Sequence, residues 1–367
     1  MNSDYVYMPV LVLVVAGLIA WMSCRRFFRP AVKAPCKSRR VVEQIVLSAI
    51  VLAALLVIAF STFNAISIGF FRPRDPTPGI IYLIDGHKVH MNCTGTGSPT
   101  LMLESGLGND WLIWGKVQPV LSRSTRVCSY DRAGYGYSDA QPAPRDADHI
   151  AAELHSLLLQ AHITGPMVLM GHSTGGLFIR DYATRYPDGV VGLIFVDAVT
   201  PAWALGKVDA PPKSITRLGI TIACSTNWPG LLGACSWPRA GSAPRWKMVT
   251  QGLCSPQLCA TKPESDSFER SGAETIQTGS YGALPVLIFS HDPAKALGPA
   301  NWEIAWSRMQ EGLKKLSTRS HRIIAIGSTH MIQLERADLI DKEVPLFIEQ
   351  IRGTAPQPTN YGATTRE

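Results

Sequence analysis

The distribution of apolar and polar positions divides the chain into three unequal parts. Tyr5 to Cys24 and Gln44 to Phe71 are two stretches without a charged residue. Each is long enough to cross a bilayer as a helix, which takes roughly 20 apolar residues. From Ile80 onward, short apolar runs alternate with segments of helical period. The runs that read as strands are Ile80 to Ile84, Lys88 to Cys93, Thr100 to Glu104, Thr125 to Tyr130, Pro166 to Met170, Val190 to Val196, Leu284 to Ser290 and Arg322 to Ile326. Helical period is found over Trp111 to Leu121, His149 to Ala161, Gly176 to Ala183, Asn301 to Leu316 and Arg336 to Ile351. Strands alternating with helices at this spacing predict an α/β domain: a mostly parallel sheet with helices on both faces. The alternation lapses from Thr200 to about Gly282, where Trp, Pro, Gly, Ser and Cys dominate, and that stretch reads as an inserted cap.

The connections fit this division. Arg72 to Gly79 contains three prolines and predicts a helix-free linker between membrane and globule. Asp85-Gly86 between two strand-like runs predicts a hairpin. The domain plan is then an anchor over residues 1–71, a linker over 72–79, a globular domain over 80–353 and a disordered polar tail over 354–367.

Charge locates the anchor. Arg25, Arg26, Arg29, Lys33, Lys37, Arg39 and Arg40 lie between the two uncharged stretches, with no acidic residue among them. Short loops this basic stay on the cytoplasmic side, so the chain after Phe71 is expected outside, facing the periplasm or cell exterior from an inner membrane. The whole chain has 35 basic and 28 acidic residues. Setting aside the seven loop cations, Asp4 and Glu43 leaves 28 basic against 26 acidic residues, so nothing argues for a nucleic-acid partner. Six of the eight cysteines, Cys93, Cys128, Cys224, Cys235, Cys254 and Cys259, fall in the part expected outside. An oxidising compartment favours disulfides. Six cysteines allow 15 pairings. Proximity suggests Cys224 with Cys235 and Cys254 with Cys259, leaving Cys93 for Cys128. Zinc is the competing reading, and no C-x-x-C or histidine at ligand spacing accompanies them.

The chemistry gathers at Gly171-His172-Ser173-Thr174-Gly175, which follows an apolar run and opens a helical one. That context matches a nucleophile elbow, in which a serine sits on a sharp strand-to-helix turn. A serine nucleophile needs a base, and the base needs an orienting acid. His330 follows the last predicted strand and is the base candidate. Asp292 follows the strand ending at Ser290 and is favoured as the acid, with Asp197, at the end of the preceding strand, as its rival. The backbone N–H of Thr174, just after the nucleophile, is one oxyanion donor, and Leu107 in Ser105-Gly106-Leu107-Gly108 is chosen as the other.

Cys93-Thr94-Gly95, Glu104 to Gly108, Tyr130 to Ser138 and Gly171 to Gly176 together give the chain from about Ile80 to Ile351 a specific likeness. It resembles the α/β-hydrolase fold superfamily, and within it bacterial membrane-anchored or secreted serine hydrolases. The resemblance implies a Ser173, Asp292, His330 triad with Leu107 and Thr174 as oxyanion donors and no metal or organic cofactor. It also implies an acyl substrate of small-molecule size, by default a carboxylic ester. The same triad serves peptidases, thioesterases and cofactor-free perhydrolases. A catalytically silent, membrane-tethered interaction module is the reading from another class.

Overall fold

Local turn chemistry starts the sheet. Asp85 and Gly86 both lie in the left-handed region, at φ 49° and 82°, which is the two-residue turn that matches strand twist. It joins strands β1 (Ile80–Ile84) and β2 (His87–Thr94) as the expected antiparallel hairpin, with Ile84 opposite His87. The computed structural model describes residues 44–52, 77–209, 257–296 and 298–353, with positions 55, 56, 59, 217, 218, 220 and 221.

Six further strands complete one eight-stranded sheet: β3 (Thr100–Glu104), β4 (Val127–Tyr130), β5 (Met167–His172), β6 (Val190–Val196), β7 (Val286–His291) and β8 (Ser320–Ala325). Their spatial order is β1-β2-β4-β3-β5-β6-β7-β8. β2 pairs antiparallel with β4, and every pair from β4 to β8 is parallel. Parallel strands put all their carboxyl ends on one edge, which is where ligands bind in open α/β sheets.

Strand alternation sorts the core into two layers. On one face Met102, Leu169, Leu193, Phe195 and Ile288 pack with Leu154, Leu157 and Ile179. Those last three belong to α1 (Ala147–Gln160) and α2 (Gly175–Arg185). On the other face Leu101, Leu103, Val168, Met170, Ile194 and Phe289 meet Trp114, Leu121, Ile340, Val344 and Phe347. Complete burial of one such side chain contributes about 1.5–3 kcal/mol. The central strands are apolar throughout because both of their faces are covered.

Three expectations change. The helix expected over Trp111 to Leu121 is two short pieces, a 3-10 turn over Trp111–Trp114 and a single helical turn over Gln118–Leu121. Pro119 lies in the first turn of the second piece, where its missing N–H and fixed φ favour a new start over a continuation. The last strand begins at Ser320 and ends at Ala325, with Gly327 just beyond at φ 85°. The cap sequence, where no regular element was expected, contains a helical turn over Pro201–Ala204 and two helices, α3 (Gln257–Asp266) and α4 (Phe268–Ile276). Two serines, Ser267 just before α4 and Ser271 within it, bind it to the domain: the backbone N–H groups of Arg145 and Ala147 donate to Ser267 Oγ and Ser271 Oγ at 3.2 and 3.0 Å. Two more helices, α5 (Ala300–Gly312) and α6 (Ala337–Arg352), close the fold.

Cys93 and Cys128 face each other across β2 and β4 and form a disulfide. Cys259 is also disulfide-bonded. Cys224, Cys235 and Cys254 lie outside the described residues. Among the described residues no helix is long and apolar enough to cross a membrane. The expected span Tyr5 to Cys24, the end of the second span beyond position 59, the basic loop and the tail from position 354 lie outside the described residues. Residues 44–52 are helical, with Ile45, Val46, Ile50, Val51 and Leu52 exposed.

Candidate active site

The turn after β5 needs glycines because backbone passes backbone there. A Cβ on Gly171 would stand 2.6 Å from the carbonyl oxygen of Gly175, and one on Gly175 would stand 2.6 Å from that of Glu104. Between them Ser173 takes φ 53°, a left-handed conformation that costs a non-glycine residue roughly 1–2 kcal/mol. The surroundings hold it there. Ser173 N–H donates to Val196 O at 3.1 Å, and Ser173 O accepts from Gly176 N–H at 3.0 Å and Val199 N–H at 2.8 Å. α2 starts two residues later, so its N-terminal N–H groups and positive dipole end lie beside the serine. Thr174 is buried at the cap position of that helix.

His330 stands in the loop after β8. Its Nδ1 donates to Asp197 Oδ2 at 2.6 Å, and its side chain remains 34% exposed, so the ring is reachable from outside. With Nδ1 carrying the proton, the neutral ring presents the Nε2 lone pair as an acceptor. His172, the residue before the nucleophile, donates from Nε2 to the His330 carbonyl at 3.0 Å and fixes that loop against the elbow. Burial, helped by the nearby His330 ring, pushes His172 down to about 3, so it stays neutral and structural.

Asp197, at φ 45° and fully buried just past β6, is the carboxylate that meets His330. Its Oδ1 also accepts from Trp306 Nε1 at 3.0 Å and from the backbone N–H of His291 at 3.1 Å. Burial alone would raise its pKa, but hydrogen bonds from His291 and His330 outweigh that and hold it well below the usual carboxylate range. It is ionised at any working pH.

Asp292, the favoured acid, does not occupy this place. Its exposed carboxylate accepts from Ala294 N–H at 3.0 Å and Gly327 N–H at 2.8 Å, capping the short turn Pro293–Lys295. Those backbone donors lower its pKa. The rival Asp197 has the geometry, and Asp292 is corrected to a turn cap.

The loop bearing Leu107 lies against the elbow. A Cβ on Gly106 would stand 3.0 Å from Ser173 Cβ and 2.9 Å from His172 Nδ1, so the loop passes close against these side chains. Leu107 is half-buried in a turn closed by Asn109 N–H donating to Gly106 O at 3.2 Å. A buried ion cluster braces this loop. Arg132 donates to the carbonyls of Ser105 and Gly106 at 2.7 and 2.9 Å, to Glu104 Oε1 at 2.7 Å, and to both carboxylate oxygens of Glu264 on α3 at 2.7 and 2.9 Å. Burial pushes Glu104 up to about 7, against the pull of Arg132 and Tyr130. The cap is thus joined to the loop beside the nucleophile by an ion pair.

The sequence reading brought Ser173, His330, Leu107 and Thr174 to one region and missed His291, Glu303, Trp306, Arg132 and Glu264. Arg132 lies in the Tyr130 to Ser138 block that carried the resemblance, which was its only local signal. Glu303 and Trp306 are one helical turn apart on α5, and nothing local marks that face. Among the described residues no group of three or more His, Cys, Asp or Glu side chains is arranged to hold a metal ion.

A family model described as alpha/beta hydrolase fold matches residues 99–215. An uncharacterized protein of Schizosaccharomyces pombe is 29% identical over 314 residues, covering 73% of this chain and 55% of its own length. The chain spans about half the length, or less, of the first curated relatives it matches. A thermophilic esterase from Thermogutta terrifontis superposes with a TM-score of 0.57 at 20% identity, over 74% of this chain and 98% of that one. The enol-lactonase from Burkholderia xenovorans LB400 superposes with a TM-score of 0.55 at 20% identity, over 73% and 99%. The chain has the α/β-hydrolase fold, and the family model matches it over residues 99–215.

Proposed function

We propose that the protein is a serine hydrolase acting on a carboxylic ester or similar acyl substrate through Ser173, His330 and Asp197. The observation that carries this reading is the 2.6 Å hydrogen bond to a buried, ionised Asp197 from His330, whose loop His172 ties to the elbow where the serine is held at positive φ. Asp197 keeps the His330 proton on Nδ1, which leaves Nε2 to take the Ser173 proton. The serine oxygen then attacks the acyl carbonyl. The backbone N–H groups of Thr174 and Leu107 receive the oxyanion, each contributing about 2.7–4 kcal/mol in the transition state. His330 returns its proton to the leaving group, and water releases the acyl group by the same steps in reverse roles. No cofactor is required by this scheme. Structural likeness to an esterase and an enol-lactonase favours an ester bond over a peptide bond.

Labelling the full chain with a fluorophosphonate probe tests the reading. Modification at Ser173 is expected, and a protein that remains unlabelled would overturn it.

The same proposal places the domain outside the inner membrane on two N-terminal helices. Seven cations between two uncharged stretches support it, as does the exposed apolar surface of helical residues 44–52. Alkaline phosphatase fused after Phe71 should be active, and fused within Arg25 to Arg40 should be silent. The opposite pattern would remove this placement.

A further inference from the structure

Asp197 is shared between two imidazoles. His330 Nδ1 approaches Oδ2 at 2.6 Å, while His291 Nδ1 lies 2.8 Å from Oδ2 and 3.0 Å from Oδ1. The second nitrogen of His291, Nε2, lies 2.9 Å from Glu303 Oε2. Glu303 is itself held by Ser307 Oγ, which donates to its Oε1 at 2.8 Å from the next turn of α5. A neutral imidazole has one N–H and one lone pair. Between two carboxylates, the neutral ring would aim its lone pair at one of them. Only the imidazolium, with a proton on each nitrogen, satisfies both.

Every charged neighbour agrees with that state. Asp197 arrives from the end of β6, Glu303 from α5 and His330 from the loop after β8. On its own segment, Asp292 turns its carboxylate to Ala294 and Gly327. Burial disfavours the charged ring, but Asp197 and Glu303 outweigh it and push His291 up to about 9.

We propose that His291 is a positioning residue for the reaction, an imidazolium wedged between Asp197 and Glu303 that orients the Asp197 carboxylate and offsets its charge. The inference rests on the serine-hydrolase reading. An acid facing only His330 would stabilise the protonated form of that ring and delay its use as a base. A fixed cation behind the acid weakens this pull, which leaves Nε2 of His330 free for the Ser173 proton. The arrangement keeps the orienting hydrogen bond and removes much of its cost in basicity range.

The test follows the rate of fluorophosphonate labelling of Ser173 against pH in the full chain. His291→Asn keeps a side-chain N–H near the position of Nδ1 and removes the charge. Its acid limb is expected to move up by about one pH unit, with labelling recovered at higher pH. A merely structural role would lower the rate equally at all pH and leave the limb in place, which overturns the inference. A wild-type chain that is not labelled at all removes the hydrolase reading and this inference with it. Labelled wild type with an unmoved limb in His291→Asn removes this inference alone. ¹⁵N NMR of the wild-type chain decides the charge state even if the variant fails to fold. Two protonated ring nitrogens on His291 at neutral pH are expected, and a neutral ring would overturn the proposal.

Discussion

Asp197 and His330 are 133 residues apart in sequence and 2.6 Å apart between Oδ2 and Nδ1. The two side chains come from the ends of β6 and β8, with β7 between them in the sheet. The aspartate reaches across the end of β7 because its backbone turns left-handed immediately after the strand. Phe289 O accepts the Asp197 N–H at 2.7 Å and anchors that turn to β7.

The acid assignment separates cleanly by mutation. Asp197→Asn should lower kcat by about 10⁴-fold, because the amide stabilises the wrong tautomer of His330. Asp292→Asn should change kcat little, since that carboxylate caps an exposed turn. Ester turnover by both purified variants, with folding verified by circular dichroism, checks this. A large loss at Asp292 with little at Asp197 would reverse the assignment.

The elbow serine carries strain that its substitutes reveal. Ser173→Ala and Ser173→Gly should both abolish probe labelling. The glycine variant should be at least as stable as the alanine variant, because it relaxes a φ of 53° that alanine must also adopt. Urea denaturation of the pair measures the difference, and a clearly less stable glycine variant would contradict a strained elbow.

The ion pair between cap and loop should govern both stability and loop order. Glu264→Ala leaves Arg132 buried with one carboxylate partner in place of two. Loss of a partner from a buried pair costs about 3–5 kcal/mol. Faster hydrogen exchange is expected over Glu104 to Gly108 as well as over α3, because Arg132 also holds the Ser105 and Gly106 carbonyls. Faster exchange confined to the cap would show that the loop is braced by Glu104 alone.

Stability should depend on pH through His291. Its folded pKa is raised from 6.5 to about 9, so the folded chain keeps a proton that the unfolded chain has released. The resulting stabilisation is fully present below pH 6.5 and is lost as pH rises through about 9. Unfolding free energies from urea titrations across that window should fall in the wild type. The fall should be smaller in His291→Asn, and an equal fall in both would assign it to other groups.

Much of this protein is legible in one dimension. The Asp85-Gly86 hairpin, the run of buried strands and the glycines that compress the elbow are local matters. Each is set by residues a few positions apart, through backbone sterics and side-chain alternation. The same locality made Ser173 and His330 visible, since each sits at a recognisable strand end.

The acid was not decidable that way. Asp197 and Asp292 both follow parallel strands that end on the same edge of the sheet, β6 and β7. Local sequence says the same thing about both. What separates them is where each carboxylate finds donors. Asp292 is satisfied by the backbone N–H groups of Ala294 and Gly327 within its own exposed turn and the loop after β8. Asp197 is buried and takes its hydrogen bonds from His291, both ring and backbone, and from Trp306 and His330, which lie 94, 109 and 133 residues away. The pairing of Arg132 with Glu264, 132 residues apart, has the same character. Chain-local rules set which residues form strands, turns and the elbow. Burial then makes every polar group find a partner, and only the packed arrangement of strand ends, cap and α5 determines which partner that is.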